Sequence, residues 1–299
     1  MTTGLLLVDK PQGVTSHDVV ARARRLLGTR KVGHAGTLDP MATGLLLLGV
    51  GSATRLLTYL VGLDKEYAAT IRLGARTDTD DAEGEVTATA DASGVSDADI
   101  AAGVAALTGP IEQVPSTFSA IKVDGRRAYD RARAGEQVEL ASRPVTIHAF
   151  DVHAIRREGR LLDVDARVAC SSGTYIRALA RDLGAGLGVG GHLTALRRTR
   201  VGPFDVADAL ELPDPREHPD APAPALLTSA EVAGRLFPVV RLDADATRDV
   251  AHGKRIELEA PDAAVAAALT PDGHLAALVE LRGGRTRVLL GLPTAEVLP

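Results

Sequence analysis

The sequence predicts an α+β fold, and three observations carry that prediction. Strand-like and helix-like segments mix without the regular βαβ rhythm of a parallel sheet. Residues 145–155 and 161–169 read as two long strands joined through Glu158-Gly159, the pattern of an antiparallel hairpin. Helices are marked by start signals, with Thr15 three residues before Asp18 and Ser96 three residues before Asp99.

The elements follow in order. Residues 5–8 form a short apolar strand, ended by Lys10-Pro11-Gln12-Gly13. After Thr15, the apolar residues Val19, Val20, Ala23, Leu26 and Leu27 keep helical spacing, and Gly28 can stop the helix. The apolar run at 44–50 has the length of a buried strand, and residues 53–60 read as a helix. Residues 67–73 alternate as a strand does. The helix announced by Ser96 carries Ile100, Val104 and Leu107. Residues 174–183 are helical, with Ile176, Leu179, Ala180 and Leu183 on one face. Near the end, residues 276–281 and 286–290 flank Arg282-Gly283-Gly284-Arg285, a hairpin signal.

Composition narrows the class of protein. The chain has 299 residues and 45% hydrophobic content, ample for a core, with only 3% aromatics. Its single cysteine, Cys170, excludes an internal disulfide, and no His/Cys cluster suggests zinc, so a reducing, cytoplasmic setting is expected. The apolar run at 44–50 is far too short to span a bilayer. The net charge of −5 is unevenly spread: residues 205–299 hold nine basic and sixteen acidic residues, which leaves +2 on the first 204. Three basic clusters lie there: Arg22, Arg24, Arg25, Arg30 and Lys31; Lys122, Arg126, Arg127, Arg131 and Arg133; and Arg197, Arg198 and Arg200. Such clusters suit phosphates, although charge alone favours a solvated surface. Five prolines between 213 and 224 make residues 213–225 an extended connector or a long surface loop.

The segment Gly33-His34-Ala35-Gly36-Thr37-Leu38-Asp39-Pro40-Met41-Ala42-Thr43-Gly44 concentrates three glycines and a proline in twelve residues. Chemistry is often carried on such a loop. Pro40 pushes Asp39 toward an extended backbone. By spacing alone an Asp-Pro turn and a structural His34 are the simpler readings.

This string closely resembles the catalytic motif of the pseudouridine synthase B family, in which the aspartate of a G-x-LDP-x-ATG pattern is catalytic. Four further stretches, in order, resemble that family. They are Leu7-Val8-Asp9-Lys10-Pro11 with Gly13-Val14-Thr15-Ser16; Leu63-Asp64-Lys65-Glu66-Tyr67 running on to Asp81; Cys170 to Arg177; and His192-Leu193 through Leu196-Arg197-Arg198. The likeness covers roughly residues 4–240. It implies a pseudouridine synthase fold, with a central mixed, mainly antiparallel sheet and a small C-terminal β-rich PUA-like domain. On this reading residues 1–236 form the catalytic domain, 115–139 an RNA-gripping insertion and 237–299 the C-terminal domain.

The implied reaction isomerises a T-loop uridine (position 55) of tRNA. It breaks the N-glycosidic bond, turns the uracil and rejoins it through carbon 5, and it needs no metal or organic cofactor. One carboxylate can attack the ribose or remove a proton from C2′. The resemblance makes Asp39 that carboxylate, Arg177 its cationic partner and Tyr67 the tyrosine that stacks on the base and helps remove its carbon-5 proton. Without the resemblance, Arg177 reads as a surface charge and Tyr67 as a half-buried strand residue. It further implies that His34 fills the space left by flipped nucleotides and that Leu196 contacts uracil. Tyr175 is a second stacking candidate, and Lys10, Lys122, Arg126 and Arg197 are expected to meet RNA. The expected partner is the tRNA T-arm, bound by a monomer without an obligatory protein partner or a membrane. The rivals are a guide-dependent or ribosomal RNA synthase, a tRNA-binding chaperone, and a hydrolase using Asp39 with Asp81.

Overall fold

The computed structural model describes residues 2–116, 122–123, 126–127, 140–218 and 220–298. Its strands are β1 (Gly4–Lys10), β2 (Val32–His34), β3 (Thr43–Val50), β4 (Lys65–Leu73), β5 (Ala75–Thr77), β6 (Val86–Thr89), β7 (Gly109–Gln113), β8 (Lys122–Val123), β9 (Arg126–Arg127), β10 (Arg143–Glu158), β11 (Leu161–Cys170), β12 (Gly191–Val201), β13 (Phe204–Asp205), β14 (Val239–Arg241), β15 (Ala263–Leu269), β16 (Leu275–Arg282) and β17 (Arg285–Gly291). The helices are α1 (Ser16–Leu26), α2 (Leu57–Val61), α3 (Asp97–Ala106), α4 (Ile176–Gly186), α5 (Ser229–Leu236), α6 (Ala244–Ala251) and α7 (Thr294–Val297).

One nine-stranded sheet organises the molecule. Its strands run β1-β3-β12-β4-β11-β10-β7, with β2 added to β3 and β13 to β12. Only β12 and β3 pair in parallel, through Arg197↔Thr43 and Arg198↔Gly44; the other pairs of this sheet are antiparallel. The predicted hairpin is therefore β10–β11, the longest ladder among the described residues, and a mixed α+β architecture follows.

The apolar run of β3 is explained by burial on both faces. Leu46 and Leu48 pack with Leu6 and Val8 against Val19, Val20 and Ala23 of α1. Leu45 and Leu47 point the other way with Leu5 and Leu7, into a core shared with Val232, Ala266, Ala268 and Leu278. A strand covered on both sides has no polar face, so alternation disappears. A third cluster lies under β4, β11 and α4, built from Ile71, Leu73, Val164, Leu179 and Leu183.

The helix starts agree with their caps. Thr15 and Asp18 form a reciprocal capping box, as do Ser96 and Asp99. Residues 53–60, expected as one helix, divide into a 3₁₀ segment, Gly51–Leu56, followed by α2. Thr54 bonds back to the Gly51 carbonyl with its side chain, which tightens the turn.

The Pro-rich stretch leaves the sheet edge and returns to it. Asp9 N donates to Leu210 O at 2.9 Å, and Leu5 and Leu227 exchange two bonds of 2.8 Å. The C-terminal sheet, ordered β14-β15-β16-β17, packs on the same face of β1 and β3 through the shared core. Most of the expected RNA-gripping insertion lies outside the described residues; within it the backbones of β8 and β9 pair antiparallel.

Candidate active site

Four elements meet at one cleft of about 300 Å³: the loop before β3, the start of β4, the middle of β12 and the N-terminus of α4. Asp39 sits on the loop, and the loop is braced from three sides. Buried Ser16, at the first turn of α1, donates to Leu38 O (3.0 Å) and accepts from Leu38 N (2.9 Å). Lys10 donates to Pro11 O, Val14 O and Pro40 O at 3.0, 2.7 and 3.3 Å. Arg198 donates to Gly36 O, Thr37 O and Leu45 O at 3.1, 3.4 and 2.7 Å. A loop fixed in this way can hold one carboxylate in place.

Arg177 arrives from the first turn of α4. The residue before that helix, Tyr175, has both backbone groups bonded to the buried amide of Gln113: Nε2 donates to Tyr175 O at 3.1 Å and Oε1 accepts from Tyr175 N at 2.8 Å. The Arg177 Nε then lies 2.9 Å from Asp39 Oδ2 and 3.5 Å from Asp81 Oδ2, and Nη1 donates to Thr79 O at 2.8 Å. The Arg177 side chain is 4% exposed and that of Asp81 5%, whereas Asp39 keeps 37% open to the cleft. Asp81 is itself held, accepting from Thr79 Oγ1 at 2.6 Å and Glu83 N at 3.0 Å.

Tyr67, Leu196, Tyr175 and Arg198 complete the cleft, with Lys65, Arg143 and Ser172 at its walls. Burial pushes the Tyr67 phenol upward in pKa, and the Arg198 charge pulls against that shift. Burial also brings Lys65 down to about 8; its ammonium donates to Val61 O (2.8 Å), Leu63 O (2.6 Å) and Ser172 Oγ (3.3 Å). The Arg143 guanidinium stands 4.7 Å above the centre of the Tyr175 ring, a cation–π contact.

Asp39, Tyr67, Arg177, Tyr175 and Leu196 are thus brought together, and other predicted residues are not. His34 lies half-buried on β2 and meets His17 edge-to-face at 5.6 Å; burial and the His17 and Arg198 charges lower its pKa. Lys10, expected to meet RNA, is fully buried and bonds three loop carbonyls instead. Arg197 pairs with Asp9 through two contacts of 2.9 and 2.6 Å, outside the cleft lining. The side chains of Lys122 and Arg126 lie outside the described residues. Sequence alone places Arg198 only within a basic run and a motif stretch, and gives no role to Gln113 or Arg143. Strand alternation carries a signal for the first, because it puts Arg198 on the face of Leu196 and Arg197 on the other. Among the described residues no helix is long and apolar enough to cross a membrane, and no cluster of three or more His, Cys, Asp or Glu could hold a metal ion.

Comparison with known proteins finds matches along most of the chain. Residues 24–176 match the TruB family pseudouridylate synthase N-terminal domain. Residues 177–217 match the tRNA pseudouridylate synthase B C-terminal domain, and 237–293 the tRNA pseudouridine synthase II C-terminal domain. A tRNA pseudouridine synthase B from Leifsonia xyli subsp. xyli is 58% identical, covering 99% of this chain and 98% of the relative. Another from Arthrobacter sp. (strain FB24) is 57% identical, covering 99% of both. Among solved structures, an H/ACA RNP bound to a substrate RNA containing 2′-deoxyuridine superposes with a TM-score of 0.71 at 26% identity, over 99% of this chain and 87% of that one. A Cbf5-Nop10-Gar1 complex gives 0.69 at 27%, over 98% and 86%. With the match running through the Asp39 loop, Tyr67 and Arg177 and on through the C-terminal sheet, the chain belongs to the TruB family of pseudouridylate synthases.

Proposed function

We infer that the protein isomerises uridine to pseudouridine in the T-loop of tRNA, at position 55, using Asp39. The observation that carries this reading is the Asp39 carboxylate, open to the cleft yet paired at 2.9 Å with a buried Arg177. Its curated relatives carry the name tRNA pseudouridine synthase B, which supports tRNA as the substrate.

The chemistry follows from the arrangement. Asp39 attacks the ribose at C1′, or takes a proton from C2′; either route releases the uracil. Arg177 fixes the carboxylate, because its own position is set by α4, Thr79 and Asp81. Tyr67 forms the floor against which the freed base turns, and Leu196 borders the same space. Carbon 5 then bonds to C1′, displacing the Asp39 carboxylate on the first route or, on the second, as Asp39 returns the proton to C2′; carbon 5 loses its proton and N1 gains one. The target base must leave its loop to reach this cleft, and stacking on Tyr67 or Tyr175 is worth about 1–3 kcal/mol. The protein acts as a cytoplasmic monomer without a protein partner; sedimentation with and without tRNA tests that part.

Tritium release from a tRNA transcript labelled at uracil carbon 5 tests the activity. Wild type should release tritium and Asp39→Asn should not, and mapping the product should place it in the T-loop. Absence of release from wild type, with tRNA still bound tightly, would make this an RNA-binding protein instead.

A further inference from the structure

Arg198 is the largest fully buried side chain among the described residues, 1% exposed, and it carries a charge. Burying a guanidinium costs several kcal/mol unless it is paired or well bonded. No carboxylate pairs with it among the described residues. Its contacts are the carbonyls of Gly36, Thr37 and Leu45. A cation held by neutral dipoles keeps its field available for a charge that forms later.

The register shows where that field points. Arg198 stands directly opposite Tyr67 across the β12–β4 ladder, so the two side chains share a face, and both line the cleft. On the other side Arg198 meets β3 at its parallel contact with Gly44. There the backbones approach so closely that a Cβ on Gly44 would lie 2.2 Å from Arg198 O. The guanidinium is therefore fixed between the Asp39 loop and the Tyr67 ring.

We propose that Arg198 is a positioning residue for the proton-transfer half of the reaction: its charge stabilises the Tyr67 phenolate that takes the proton from carbon 5. This rests on the activity inferred above. The step balances. After carbon 5 bonds to C1′, the C5–H electron pair becomes the C5=C6 double bond, the C6=N1 pair moves onto N1, and the proton goes to the phenolate oxygen. N1 takes a proton from water, and the hydroxide so formed removes the phenol proton and restores the phenolate. Of the cations that line the cleft, Arg198 acts most strongly on the phenol and is hydrogen-bonded to it, so it is the one placed to favour the phenolate against burial.

The test is single-turnover pseudouridine formation on a tRNA transcript bearing deuterium at carbon 5 of its uridines, alongside an unlabelled transcript. Arg198→Met should slow the rate by about 100-fold or more, leave tRNA affinity nearly unchanged and expose a primary isotope effect absent in wild type. Arg198→Met combined with Tyr67→Phe should be no slower than Tyr67→Phe alone. Rate loss without an isotope effect, or full additivity with Tyr67→Phe, would reduce Arg198 to a brace for the loop and overturn the proposal. Should Arg198→Met fail to fold, Arg198→Lys and Arg198→Gln decide the matter: the isotope effect should appear in Gln and not in Lys, and equal effects would overturn the idea. A wild type that forms no pseudouridine fails the activity reading itself and is told apart from these outcomes by that control.

Discussion

Arg177 and Asp39 form an asymmetric pair: the guanidinium is 4% exposed, and the carboxylate 2.9 Å from it is 37% exposed. Removing one partner is therefore not equivalent to removing the other. Asp39→Asn leaves Arg177 with Asp81 at 3.5 Å and Thr79 O at 2.8 Å, so the buried charge keeps its partners. Turnover should vanish while the melting temperature and tRNA affinity stay close to wild type. Tritium release, thermal melting and filter binding on the same preparation check this. A large loss of affinity would contradict a purely chemical role.

Arg177→Ala should behave differently. It strands Asp81, 5% exposed, without its cation, and breaking a buried pair costs about 3–5 kcal/mol. Stability should fall as well as activity. Arg177→Met with Asp81→Leu should recover much of the stability and none of the activity. Urea midpoints for the single and double variants provide the measurement, and an unstable double variant would argue against a buried-charge origin.

Gly44 is a backbone requirement. Its φ is +99°, and an added Cβ would meet Arg198 O at 2.2 Å and Arg198 N at 2.8 Å. Gly44→Ala should destabilise by about 3 kcal/mol, through strain and forced separation of β3 from β12. Circular-dichroism melts would reveal it; a stable, active variant would mean that the two strands can part without harm.

Lys10 and Lys65 predict an alkaline signature. Burial lowers each from 10.5 to about 8. Between those values the unfolded chain binds more protons than the folded one, so stability rises with pH across that window. Below it, each buried ammonium costs about 3 kcal/mol relative to an ordinary lysine. Wild type should therefore gain stability relative to Lys65→Met as pH climbs from 8 to 10.5, read from urea midpoints at several pH values. A constant difference would mean that the Lys65 ammonium is as well solvated in the fold as outside it.

Local signals were legible where a residue's role depends on its neighbours in sequence. The boxes at Thr15 and Ser96, the β10–β11 hairpin and the two-sided burial of β3 all follow from short patterns. The resemblance located Asp39, Tyr67 and Arg177, and these do share one cleft. Long-range relations were not legible. Lys10 has the composition of an RNA contact, yet it lies beneath the Pro40 carbonyl because β1 ends under the Asp39 loop. Arg198 looked like one member of a basic run until its position opposite Tyr67 gave it a direction. The amide of Gln113, which bonds both backbone groups of Tyr175, joins residues 62 positions apart.

The shared core beneath β1 has a consequence for the order of events during synthesis. Leu5 and Leu7 leave the ribosome long before the residues that complete their core, Val232 and Ala233 of α5 and then Ala266, Ala268 and Leu278. Ser52 likewise meets its partner Glu296 only when α7 exists. The first strand must therefore wait, its apolar face incompletely covered, until α5 and then the C-terminal sheet are made. Long-range closure of this kind is slow and leaves the nascent protein prone to aggregation. A chain stopped before α5 would leave Leu5, Leu7, Leu45 and Leu47 without much of their core, so incomplete copies become targets for chaperones rather than a smaller working enzyme.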